Sequence, residues 1–245
     1  MKLLIIILST LFAQANEQYA AGRYAEAADN YETCLSQQTE DGTEMTDESR
    51  AEVLYNLGNA RFKQGELAQA ILAYERSLRL NPGNKDARYN LEFARSRIID
   101  DIADNRTFFF SSWARSMRDR LTENTWFLLS VGLFVIMLAA LVVFALARVL
   151  WVRKAAFHTA WIALLLSVVS GIDALSLHRR DTERAEAIIT QGITNAKSSP
   201  DRSGTDLFTL HEGTKVEISE TLGEWCNIRV GNNEGWISLQ HLERI

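Results

Sequence analysis

What this chain lacks narrows its function first. It has no phosphate-cradling glycine loop, no HExxH pair and no nucleophile elbow, the short patterns that carry phosphoryl transfer, zinc hydrolysis and acyl transfer. Its four histidines, His158, His178, His211 and His241, are scattered. The adjacent carboxylates Asp100 and Asp101 read as part of a solvated helix face. Cys34 and Cys226 have no metal-ligand spacing and read as small buried side chains. No metal or cofactor is implied. The net charge of -5 comes mainly from the N-terminal part, without the clustered Lys and Arg that a nucleic-acid partner calls for. These absences point away from catalysis and away from nucleic acid.

Charge is missing most conspicuously from two long apolar runs. Trp126 to Leu146 carries none, and Ala155 to Leu177 carries only Asp173 and the ionisable His158. A bilayer core takes about 20 apolar residues per helix, which both runs supply. The alternative is a pair of buried core helices, but such helices seldom stay apolar on every face. The expectation is a transmembrane hairpin: helices over 126–147 and 155–177, joined by a loop over 148–154. Asp173 lies about one helical turn from the end of its run, where it reaches water or Arg179.

The first residues, MKLLIIILSTLFAQA, combine a lysine, a short apolar stretch and Ala13-Gln14-Ala15. That is the pattern of a signal peptide over 1–15, with a retained anchor as the alternative. Either way the following arm is exported, which puts the 148–154 loop in the cytoplasm and returns the C-terminus to the outside. Arg148, Arg153 and Lys154 agree with that orientation, although arginines also flank the outer ends.

Between these segments lies a helical arm, residues 16–105. Leu54, Leu57, Gly58 and Phe62 recur at helical spacing, Gly65 breaks the helix, Ala70 and Tyr74 stripe a second one, and Asn81-Pro82-Gly83 ends it. Upstream, Gly22, Tyr24, Ala27, Tyr31 and Leu35 repeat the second half of this phrase. The stretch 51–84 resembles the tetratricopeptide repeat family; Arg61 and Ser77 depart from its pattern. After it, KDARYNLEFARSRI reads as a capping helix. An array this short buries little on its own and is expected to lean on the membrane segment or a partner. The resemblance implies a peptide-binding groove lined by Tyr55, Asn56, Asn59 and Lys63, with Tyr89, Asn90 and Phe93 from the next helix. The alternative is a purely structural array.

Phe110, Trp113, Met117 and Leu121, with Arg115, Arg118 and Arg120 on other faces, read as an amphipathic juxtamembrane helix within 106–125 or as a linker helix packed on the repeats. Beyond the hairpin the periodicity becomes alternating. Short strands are expected at Leu207 to Leu210, Lys215 to Thr221, Trp225 to Val230 and Gly235 to Ile237, with glycine-marked turns between them. They predict a small barrel over 187–245, and the stretch resembles bacterial SH3-type domains. Phe208, Trp225 and Trp236 are its candidate ligand contacts, with barrel core the reading preferred for at least two of the three. The resemblance implies protein or peptidoglycan ligands.

The fold expected is therefore multidomain: a helical repeat array, a two-helix transmembrane hairpin and a small all-β barrel. The order of parts resembles the E component of the Bat (Bacteroides aerotolerance) operon. That resemblance implies a scaffold in a bacterial inner membrane, both soluble arms periplasmic, with other Bat-type proteins as partners and a link to aerotolerance or oxidative stress. A wall-binding sensor acting through the barrel is the alternative.

Overall fold

The computed structural model describes residues 2–36, 45–100, 118, 120–183 and 185–245, without side chains for 2–9 and 179–183. The chain divides into two compact units, Met1–Phe108 with Arg184–Ile245, and Phe109–Glu183.

Among the described residues of the first unit, five α-helices precede seven strands. Helices α1 (Lys2–Ala20) and α2 (Tyr24–Ser36) form one antiparallel pair, α3 (Asp47–Gln64) and α4 (Leu67–Leu80) a second, and α5 (Lys85–Arg95) packs on α4. Local chemistry sets their ends. Thr46 Oγ1 accepts the Ser49 N–H to cap α3, and Asn84 Oδ1 accepts the Asp86 and Ala87 N–H groups to cap α5. Gly65 ends α3 at φ 85°, a conformation that favours glycine. Ala15, Ala27, Ala28, Tyr31, Cys34, Val53, Leu57, Ala60 and Ala73 form the core of the first pairs, with Leu11, Phe12 and Tyr19 packed against it. Helix α1 thus runs unbroken through Ala13-Gln14-Ala15 as the partner of α2.

The strands are β1 (Ala185–Ile189), β2 (Ile193–Lys197), β3 (Asp206–His211), β4 (Lys215–Leu222), β5 (Trp225–Val230), β6 (Asn233–Ser238) and β7 (Leu242–Arg244). They form one antiparallel sheet in the order β3-β2-β6-β5-β4-β1-β7. Leu210 from one edge strand and Leu242 from the other share a core with Ala187, Ile189, Val216, Cys226, Ile228 and Ile237, so the sheet folds over on itself. Four of these strands match the alternating pattern in the sequence. Strand β1 does not alternate, because both of its faces are buried: Ala187 and Ile189 enter the barrel core, while Ile188 joins Ala68, Ile71, Leu72, Tyr74, Leu91 and Ala94 of the repeats. Cys34 and Cys226 are both free and buried, and burial pushes each thiol up to about 11.

The short array leans on the barrel, and the junction is polar as well as apolar. Buried Glu75 of α4 pairs with Arg95 of α5 and with Lys215 of β4 (3.2 Å), which also pairs with Glu186 of β1 (2.8 Å). Arg76 pairs with Glu243 (3.0 Å), and Arg79 donates to the Ile245 carbonyl (2.6 Å). Asp100 is no solvated carboxylate. Its Oδ2 accepts the His211 backbone N–H and the Thr214 hydroxyl, both at 2.7 Å, and its Oδ1 lies 2.6 Å from His211 Nδ1. A carboxylate only accepts, so Nδ1 carries the proton.

In the second unit, α6 (Glu123–Leu146) and α7 (Leu150–Glu183) form an antiparallel hairpin. The connection is shorter than the expected 148–154 loop, since α7 begins at Leu150 and takes Arg153 and Lys154 into its first turns. Ala140, Ala160 and Ala163 let the helices approach around Met137. Ser130 and Ser167 each donate to the other's backbone carbonyl at 2.9 Å. Both helices are long and apolar enough to cross a membrane, with 11% and 28% of their most apolar windows buried within the chain. A core helix would be mostly covered within the chain, and these two are not. The amphipathic helix expected over 106–125 falls mostly outside the described residues, Phe110, Trp113 and Met117 among them.

Two expectations follow from the junction. Replacing Ile188 by Ala deletes a side chain with no solvent exposure and should cost about 2–5 kcal/mol. In denaturant titrations of the detergent-solubilised chain, helical circular dichroism and barrel tryptophan fluorescence should lose stability together; a shift in only one signal would mean independent modules. For Asp100, burial raises the carboxyl, but the bonds from His211 and Thr214 outweigh it and hold the group below its usual range. A depressed carboxylate adds stability above its unfolded pKa of about 3.9 and loses it as pH falls through the folded value. Stability measured from pH 6 downward should fall across that acid window less steeply in Asp100→Asn than in the parent.

Candidate functional site

On the repeats, α1, α3 and α5 together line a cavity of about 240 Å³ formed by Tyr19, Asn59, Phe62, Lys63, Tyr74, Tyr89, Asn90 and Phe93. Asn59, Phe62 and Lys63 sit on one face of α3 because positions three and four apart share a helix face; Tyr89, Asn90 and Phe93 do the same on α5. Tyr74 reaches the site from behind, across Gly58. A Cβ at residue 58 would lie 2.6 Å from the Tyr74 ring, so the glycine is what lets α4 bring that phenol to the groove.

The polar floor is one connected network. The Tyr74 hydroxyl and Asn90 Nδ2 both donate to Asn59 Oδ1, each at 2.8 Å, and Asn90 Nδ2 also lies 3.5 Å from Tyr55 Oη. Burial, first, and neighbouring tyrosines push the Tyr74 phenol well above its ordinary value, so it stays protonated and donates. The walls are aromatic. The Phe62 and Phe93 rings stand 5.7 Å apart, and the Arg97 guanidinium lies 4.8 Å from the Phe93 centroid and 5.7 Å from that of Phe62. Tyr89 is 69% exposed and Phe93 43%, large apolar surfaces left open to solvent at the mouth.

Five of the seven groove residues expected from the sequence therefore meet in one cavity: Asn59, Lys63, Tyr89, Asn90 and Phe93. Two do not line it. Tyr55 touches the network from its edge, and the Asn56 amide points to Asn16 Oδ1 at 3.4 Å. Tyr19, Phe62 and Tyr74 were missed. Phe62 follows Asn59 at helical spacing and was readable; Tyr19 depends on the full length of α1, and Tyr74 on a contact between helices.

The barrel aromatics divide differently from expectation. Phe208 packs against the core. Trp225 and Trp236 are half-buried at positions that alternate with buried Cys226, Gly235 and Ile237, which puts both on the outer face. One aromatic of the three is core, not two. Strand register lines up Lys197, Trp236, Asn227 and Glu220 on that face, with Trp225 and exposed Leu222 paired in the adjacent row. The Asn227 Oδ1 atom is buried without a partner. Among the described residues no group of three or more His, Cys, Asp or Glu could hold a metal ion.

Residues 51–84 match the family model for the tetratricopeptide repeat, and residues 194–243 match that for the bacterial SH3 domain. No curated protein matches the chain. Modules of both kinds serve interaction in general and are typically non-catalytic.

Because Tyr74 and Gly58 are in contact, Gly58→Ala should overpack the groove floor and cost about 1–3 kcal/mol. The Asn90 side-chain amide resonances should shift with it. Unchanged amides alongside reduced stability would show that the floor relaxes elsewhere.

Proposed function

We propose that this chain is a non-enzymatic, membrane-anchored adaptor that docks segments of protein partners in the repeat groove. The observation that carries this reading is the open aromatic cavity itself: large rings left exposed around a satisfied polar floor are a recognition surface, since a purely structural array would cover them. The hairpin supplies the anchor. The repeats precede it and the barrel follows it, yet the two share a core, so both modules lie on one side of any membrane that the hairpin crosses. The signal-like first residues make that side the exported one, with the hairpin turn in the cytoplasm of a bacterial inner membrane. The order of modules, resembling the E component of the Bat operon, supports other Bat-type membrane and periplasmic proteins as partners and a role in aerotolerance or oxidative stress.

A second reading rests on the barrel's outer face. Trp225 and Trp236 beside Asn227 make a half-exposed aromatic shelf with an unpartnered acceptor, which supports an envelope sensor that binds peptidoglycan.

Crosslinking in intact membranes followed by mass spectrometry separates the two. The comparison is between the parent and a Lys63→Ala, Tyr89→Ala double variant, whose changes fall on exposed groove positions and should leave the melting temperature unaltered. Specific proteins recovered by the parent and lost from the variant identify the groove as the docking site. An identical set from both would sink the adaptor reading. Retention on isolated cell wall that depends on Trp225 and Trp236 would favour the sensor.

A further inference from the structure

The hairpin carries a charge pattern that neither soluble module explains. Its turn end bears Arg148, Arg153 and Lys154, all exposed, and residues 124–172 contain no carboxylate. Among the described residues none of these three side chains has an ion-pair partner. The opposite end mixes signs: Glu123 and Asp173 stand with Arg118 and Arg120, and Glu123 pairs with His178 at 3.0 Å.

Depth makes the unpaired cations matter. Trp126 and Trp151 stand at the two ends of the hairpin, on the order of 30 Å apart along its axis at about 1.5 Å per residue, the thickness of a hydrocarbon core. Trp151 is 73% exposed, as an interfacial anchor would be. Arg153 and Lys154 follow it within one turn of α7, on the apolar side, so they sit where headgroups give way to acyl chains. A cation at that boundary needs an anion at hand, and this stretch of the chain supplies none.

Arg153 is also held in place. Its guanidinium lies 5.1 Å from the centroid of Phe144 on the neighbouring helix, and Phe144 stands 5.9 Å from Phe157. Phe157 in turn lies 6.4 Å from the ring of Trp161, which is 60% exposed. Cation and rings thus form one surface across both helices, a fixed fork of donors at the rim and aromatic faces running inward from it. Phosphate matches the fork, and acyl chains match the rings. The first N–H groups of α7, which have no acceptor within the helix, add positive potential at the same end.

Headgroup charge decides which lipid fits. A zwitterionic headgroup brings its own ammonium, which would meet three cations and no carboxylate. A headgroup of net negative charge brings only what this surface lacks.

We propose that the turn end of the hairpin is a binding site for anionic phospholipid, with phosphate on Arg148, Arg153 and Lys154 and acyl chains on Phe157 and Trp161. The site rests on the reading that the hairpin crosses a membrane. The test reconstitutes the full-length chain in nanodiscs of equal phosphatidylglycerol and phosphatidylethanolamine. Native mass spectrometry then counts the lipids retained after mild detergent extraction. Phosphatidylglycerol should be retained about tenfold over phosphatidylethanolamine, as one charge-assisted hydrogen bond implies. The triple change Arg148→Gln, Arg153→Gln, Lys154→Gln should abolish that preference, while Arg120→Gln at the other end leaves it. Arg153→Lys keeps the charge but loses the planar fork, and should lower the preference several-fold. Equal retention of both lipids, or a preference that survives the triple variant, overturns the site. A preference that the triple variant abolishes and Arg153→Lys leaves whole also overturns it, since diffuse surface charge would then suffice. A chain that does not enter nanodiscs at all removes the membrane reading along with the site.

Discussion

Strand β1 carries the constraint on which the soluble part of this molecule depends. Most strands in a small barrel bury one face and show the other to water. This one has no wet face along Ala187 to Ile189, because alternate residues serve two different cores. The repeats cannot cover Ile71 and Leu91 without Ile188, and the barrel cannot close without Ala187 and Ile189. Two modules far apart in the chain are joined through a strand of five residues that belongs to both of their cores. The polar contacts around it follow from that fusion. Glu75 can be buried because Arg95 comes from the repeats and Lys215 from the barrel, and a buried carboxylate deprived of either would be left uncompensated. Ionic partners from both sides specify the docking geometry, and apolar burial supplies its strength.

That docking explains how so small an array can keep a groove. Repeat units bury their faces against neighbours, and terminal units need a cap. Here the barrel covers α4 and its surroundings, while the cavity is lined chiefly from α1, α3 and α5. Capping and recognition thus draw on different surfaces. The link between them is Tyr74, whose ring belongs to the core that includes Ile188 and whose hydroxyl ends in the groove network. Gly58 makes the passage between the two surfaces narrow enough for one aromatic side chain to span.

How much of this could be read from the sequence depends on whether the relevant pattern was local. The turn glycines, the helix that opens at Lys85 and the two apolar runs are local, and the elements lie where those patterns put them. Five groove residues were legible for the same reason: they recur on one face of each helix. The misses all come from contacts between distant segments. Strand β1 lost its alternation to double burial, Asp100 looked solvated because His211 and Thr214 lie over a hundred positions away, and Tyr19 and Tyr74 enter the groove only once the helices pack. Trp225 and Trp236 were misjudged for a different reason. Tryptophan is most often core, and only the strand register, with Cys226 and Ile237 facing inward, shows that these two face outward.

The shared core also limits how the two functional readings can be told apart. Removing the barrel would take Ile188 from the core around Ile71 and Leu91 and strip Glu75 of Lys215, so truncation should destabilise the repeats while it removes the barrel's outer face. Loss of a function on such truncation would then not say which module carried it. Discrimination has to come from side chains that no core depends on. The groove mouth offers Lys63 and Tyr89, and the barrel's outer face offers Trp225 and Trp236, sets that lie on opposite sides of the β1 junction in the chain of contacts. Because those four side chains belong to neither core, each surface can be altered through them while the other, and the body that holds both, stays as it is. A partner that responds to both sets would show the two surfaces acting as one extended interface on a rigid body, a result that neither reading alone accommodates.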